Sequence, residues 1–177
     1  MSDTTWADTF RNVYNSATSK YQQGVRSPAD LFTEAEHAFL GSIGANAQEI
    51  FDFVDDHAEW DGEPSYDTTL LITAARRDYF IVEMGSVASE SVVDVSLLPS
   101  KTAEFEGIVW LPRIIEKAKA KLRGEMPTEL MYCCGGDRAF CRENRVHPAD
   151  FLRLVWSKWD DPSAIAAFVK ARRDRNA

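Results

Sequence analysis

Apolar residues recur at helical spacing in stretch after stretch of this chain, and that repetition most limits its fold. Trp6, Phe10, Val13, Tyr14, Ala17 and Tyr21 stand three or four apart, the signature of an amphipathic helix whose apolar stripe packs inward. It ends near Gly24. Thr33-Glu-Ala-Glu36 is a capping box, in which the Thr and Glu side chains each satisfy a backbone N–H that the first helical turn leaves unpaired. It predicts a helix to about Ile43, stopped at Gly44, with Phe39, Leu40 and Ile43 inward. Asn46-x-x-Glu49 repeats the signal and opens a helix with Ile50, Phe53, Val54 and His57 on one stripe, closed by Asp61-Gly62-Glu63-Pro64. Glu34-x-x-His37 matches half of a di-iron motif, but it falls off the apolar stripe and has no second copy.

Tyr66 to Met84 is apolar nearly all round, which predicts a central, buried helix. Arg76-Arg77-Asp78 lies in its middle, so at least one charge there needs a buried partner; Arg77, between Leu70 and Ile81 on the helical wheel, is the candidate. The alternative is a β-hairpin of Thr69–Thr73 and Tyr79–Glu83, whose turn lacks Gly or Asn. Val92–Leu98 reads as a short strand or helical turn. Leu111, Ile114, Ile115, Ala118 and Leu122 make a helix stopped by Gly124. Its outer face is read to carry Arg113, Lys117, Lys119, Lys121 and Arg123, a basic ridge or a solvated face. Pro148 and Asp161-Pro162 start two more helices, and Arg172–Ala177 reads as a charged tail that frays.

The class expected is mainly α, a single compact helical domain over 1–177, possibly with a small β-hairpin; α+β is the alternative. Its 177 residues can bury a substantial core. A net charge of −8 counts against nucleic acid or an anionic membrane as partner, since both select a basic face. No apolar run approaches a membrane span, and Met1-Ser-Asp-Thr-Thr is too polar for a signal peptide. Three cysteines, two adjacent, suit a reducing cytosol better than a disulfide framework, so a cytoplasmic protein is expected.

All three cysteines lie in Leu130-Met-Tyr-Cys-Cys-Gly-Gly-Asp-Arg-Ala-Phe-Cys141. Gly135-Gly136 leads into a short helix with Asp137 as its expected N-cap. Helix N–H groups, the helix dipole and Arg138 and Arg142 together favour an anion, and a thiol there can become nucleophilic. The bland reading packs the cysteines as small core hydrophobes. Spacing fits neither the Cys-x5-Arg loop of cysteine phosphatases nor ordinary zinc sites, although Cys133, Cys134, Cys141 and His147 supply enough ligands for one. No metal site is expected.

The run Ile108-Val-Trp-Leu-Pro-Arg-Ile-Ile-Glu-Lys-Ala-Lys-Ala-Lys-Leu-Arg-Gly124, followed by Tyr132-x-Cys134-x-x-Asp137, resembles a bacterial family catalogued as domain of unknown function 5069. The resemblance covers about Leu97 to Val169; Gly135-Gly136 stands where relatives often show Pro-Leu. It implies a family-like core at 97–169, with residues 1–96 an N-terminal helical elaboration packed on it. It implies no activity, cofactor or catalytic residue.

Two functions follow. One is a non-catalytic binding or interaction module whose cysteines are core, with Arg113, Lys117 and Lys121 as the surface for a protein partner. The other is an enzyme or binding protein for an anionic small molecule. Its ligand groups would be Gly135, Gly136, Arg138 and Arg77, and its candidates for chemistry Cys134, Asp137 and His57. Exposure of Cys134 beside positive charge discriminates them.

Overall fold

The computed structural model describes residues 5–174. The leader reading at residues 1–4 and the last three residues of the tail lie outside them. Cap chemistry divides the N-terminal part into α1 (Trp6–Gln22), α2 (Pro28–Leu31), α3 (Glu34–Ser42), α4 (Ala47–Glu59) and α5 (Tyr66–Val82). Both expected capping boxes form, at Thr33/Glu36 and Asn46/Glu49, and Thr5/Asp8 makes a third. A single 3-10 turn follows at Val95–Leu97, then strands β1 (Glu104–Phe105) and β2 (Ile108–Val109). The chain closes with α6 (Leu111–Arg123), α7 (Gly135–Glu143), α8 (Pro148–Ser157) and α9 (Pro162–Asp174). The molecule is mainly α with one small antiparallel hairpin. No helix among the described residues is long and apolar enough to cross a membrane.

The hairpin is not where the sequence offered one. Residues 66–82 are helix, capped by the Ser65 hydroxyl on the Thr68 N–H. The two strands meet instead at 104–109, Glu104 opposite Val109 and Phe105 opposite Ile108. Glu106 and Gly107 both have positive φ, 51° and 77°, as a two-residue turn that matches strand twist requires. A glutamate at the first of these positions is a poor sequence signal for such a turn.

One hydrophobic cluster takes Phe10 and Tyr14 from α1, Phe53 from α4, Ile72 from α5, Ile114 from α6, Phe151 from α8 and Ile165 from α9. α5 packs on α6 and α8, and α1 and α2 pack on α4. The all-round apolarity of α5 overstated its burial: Leu71, Ile81 and Val82 are exposed.

The buried charge on α5 is Arg76, at 2% exposure, and not Arg77. Arg77 sits half-buried between Asp78, at 3.6 Å, and the Trp6 ring. Arg76 lies over the Phe80 ring and donates to Met84 Sδ at 3.5 Å, and its Nε has no partner. Glu49 and Glu125 are near enough to favour its charge, but no carboxylate among the described residues pairs with it. A buried charge without a paired carboxylate is a net liability. Arg76→Met is therefore expected to leave stability unchanged or raise it by up to about 2 kcal/mol. Urea denaturation checks this; a loss of about 3 kcal/mol or more would mean that a carboxylate pairs with Arg76 in solution.

Candidate functional site

The cysteine stretch becomes a tight inward turn. Cys133 takes positive φ (70°), so the chain reverses there and α7 starts one step later, with Cys134 as its N-cap and no side-chain capping bond. Asp137 is thus the third helical residue, not the N-cap expected. Its side chain is fully buried and reaches back to accept from the Cys133 N–H at 2.9 Å. The same carboxylate accepts from Trp110 Nε1 at 2.9 Å and forms an ion pair with Lys117.

Lys117 and Lys121 stand four apart on α6, and both point inward, at 2% and 3% exposure. Lys121 pairs with Glu49 of α4 at 3.2 Å. This corrects the basic ridge: two of the three residues proposed to meet a protein partner are buried, and the third, Arg113, donates to the Pro99 carbonyl. Lys117 gives a second hydrogen to Cys134 Sγ at 3.2 Å.

The glycines divide in role. A Cβ on Gly136 would stand 2.6 Å from Trp110 Cζ2, so this glycine exists to let the indole lie on the helix start. Trp110 is itself held at φ 71° as N-cap of α6. Gly135 is open to solvent, but the cleft beside it, about 390 Å³, is walled by Glu59, Asp61 and Glu63 as well as Arg138 and Arg142. An anion at the helix start would face those three carboxylates. Arg138 is engaged by internal partners: it donates to Asp56 at 2.6 Å and to the Cys133 carbonyl at 2.8 Å.

The remaining candidates do not converge. His57 sits at the end of α4 with Nδ1 3.0 Å from the Pro64 carbonyl, and Arg77 lies against Trp6 on α5; neither lines a cleft with the cysteine turn. Cys133 and Cys141 are buried free thiols, and Cys134 is a half-buried one. Burial pushes the Cys133 thiol well up and the Cys141 thiol to about 12, Cys141 being helped by the Asp137 charge. Burial likewise holds the Tyr132 phenol well above its ordinary value, and its hydroxyl donates to the Pro148 carbonyl at 2.8 Å. Among the described residues no group of three or more His, Cys, Asp or Glu is placed to hold a metal ion.

A larger cleft, about 440 Å³, opens on the other side of Arg138. Its lining includes Ser65, Thr68, Arg138, Arg142, Arg145 and Arg172, with Cys141 and His147. Arg142 meets Glu63 at 2.6 Å. Arg145 and Arg172 have no carboxylate partner among the described residues; Arg172 Nε donates to the Arg145 carbonyl at 3.3 Å. His147 Nδ1 accepts the Ala149 N–H as cap of α8, which leaves the proton on Nε2, 3.4 Å from Thr68 Oγ1. Sequence reading missed this cleft because its arginines come from three separate segments, and only Arg138 and Arg142 belong to the stretch that drew attention.

Residues 96–177 match the model of a family described as Domain of unknown function (DUF5069). The match covers the C-terminal part of the chain, from residue 96 onward. No curated protein and no solved structure matches the chain. The matched range contains the resemblance read from Leu97 to Val169. Trp110, Lys117, Cys134 and Asp137 all fall inside the DUF5069 segment, as do all four arginines of the larger cleft. Glu49, Asp56 and Glu63, which pair with Lys121, Arg138 and Arg142, fall outside it.

Proposed function

We propose that this protein is a non-catalytic binding module and that its ligand is a small anion held in the arginine cleft. One observation carries this reading. On a chain of net charge −8, the cleft gathers four arginines against a single glutamate, and two of those arginines have no acidic partner among the described residues. Guanidinium groups present forked donors that match carboxylate and phosphate oxygens. The Thr68 hydroxyl adds a donor, and Pro64, Val146 and Pro148 give the cleft an apolar part, a mixture usual in small-molecule sites. The alternative, an anion or a reaction at the Cys-Gly-Gly-Asp-Arg helix start, loses support because Asp137 and Arg138 are consumed by internal partners and acidic residues face Gly135.

The test is thermal unfolding at constant ionic strength with inorganic phosphate and with succinate. A ligand of the folded state stabilises by about 2.7 kcal/mol at a hundred times its Kd, so a saturable rise in Tm is expected with at least one probe. Arg145→Ala and Arg172→Ala should each weaken the apparent affinity at least about tenfold, the loss of one charge-assisted contact. No saturable rise with either probe, or an equal rise in both variants, would sink the reading.

A further inference from the structure

We propose that Cys134 is an oxidative modification site at which a hydroperoxide leads to a covalent sulfur–nitrogen link between Cys134 and Lys117. The proposal rests on the buried cluster under the helix start and is independent of the arginine cleft.

Three observations converge. Cys134 is the most exposed of the three cysteines, and as N-cap of α7 its sulfur makes no capping bond. The Lys117 nitrogen lies 3.2 Å from that sulfur, on a side chain that is 2% exposed. An ammonium carries three hydrogens, and Lys117 gives two, one to Asp137 and one to Cys134. The third is without an acceptor among the described residues, so an oxygen added to sulfur would find a donor waiting. The usual resolving group would be a second thiol. Cys133 and Cys141 are buried and line the arginine cleft, whose walls do not include Cys134. Burial also keeps both protonated, and a protonated thiol is a weak nucleophile.

The chemistry closes in two steps. Hydrogen peroxide transfers one oxygen to the Cys134 sulfur: the O–O bond breaks, an S–O bond forms, and the proton leaving sulfur joins the departing hydroxide as water, so sulfur is oxidised by two electrons and the peroxide is reduced. The product is a sulfenic acid, which condenses with a nearby nitrogen. Here Lys117 first passes one proton to the Asp137 carboxylate beside it, and the free amine nitrogen attacks sulfur; an S–N bond forms and the S–O bond breaks. A second proton leaves the nitrogen and departs with the hydroxide as water. Contact between nitrogen and sulfur before the reaction gives this step the advantage of an intramolecular process over attack by a thiol in solution.

The experiment treats the full-length protein with hydrogen peroxide, blocks free thiols, and digests with trypsin without reductant before mass spectrometry. Trypsin cuts after Lys117 only while its amine is free. The expected result is loss of that cleavage, together with a species joining the Lys117 and Cys134 peptides that is two hydrogens lighter than their sum. Dithiothreitol should restore both. In Lys117→Met, dimedone should trap the Cys134 sulfenic acid that the wild type consumes. The readout in the wild-type protein stands even where that variant fails to fold. Cleavage retained after Lys117 would overturn the proposal, whether Cys134 is then a sulfinic acid, a dimedone adduct, a disulfide or an unreacted thiol.

Discussion

Lys117→Ala and Asp137→Ala are each expected to destabilise the protein by about 3–5 kcal/mol, because either change strands the other charge in the interior. The pair is buried, with Lys117 at 2% and Asp137 at 0% exposure. Asp137 also anchors more than a charge. Its carboxylate holds the Trp110 indole over Gly136 and accepts from the N–H of Cys133, the residue at which the chain reverses. Asp137→Ala thus leaves an ammonium without its counterion and an indole N–H and a backbone N–H without acceptors, and should be the worse of the two. Lys117→Met combined with Asp137→Asn should recover part of the loss but not all: the charges are gone, while one amide oxygen has to serve donors that two carboxylate oxygens served. Chemical denaturation of the wild type and these three variants checks this. Single losses under about 1 kcal/mol, the level of a solvated surface pair, would show that water reaches the pair in solution.

Gly44→Ala is expected to destabilise by about 2–5 kcal/mol. Gly44 has φ +72°, where a Cβ costs about 1–2 kcal/mol. That Cβ would also stand 2.7 Å from Phe80 Cβ. The blocking atom is the root of the Phe80 side chain, so relief needs a shift of α5 itself, and overpacking of this kind adds about 1–3 kcal/mol. Gly24→Ala is the internal comparison. Gly24 has φ +100° with nothing within 4 Å of the added carbon, so it should show the backbone part alone. Equal losses for the two variants, measured by urea denaturation, would mean that α5 yields freely at this contact.

What was legible in the sequence depended on how far apart the interacting residues stand. The Thr33/Glu36 and Asn46/Glu49 boxes could be read because all their donors and acceptors lie within four residues. The stripe of Ile114, Ala118 and Leu122 was equally plain. The fate of Lys117 and Lys121 was not. They flank that stripe, and a flanking lysine faces solvent unless another element brings it a carboxylate. Those carboxylates come from Asp137 and Glu49, a distant helix in each case. The same limit exchanged Arg76 for Arg77 and placed Asp137 at the helix start rather than beneath it, since a reversal at a non-glycine residue, Cys133, leaves no mark in composition. The cysteine turn was rightly singled out as unusual. Its glycine pair, however, answers to the Trp110 indole as much as to any ligand.

The ion pairs that cross residue 96 bear on how this architecture can change over time. Lys121 and Arg138 are buried inside the DUF5069 segment, yet the acids that neutralise them, Glu49 and Asp56, sit on α4, outside it. The matched segment therefore cannot be transplanted without α4 unless positions 121 and 138 change as well, because two desolvated cations would lose their counterions together. Substitutions at 49 with 121, and at 56 with 138, should therefore be tolerated better together than singly.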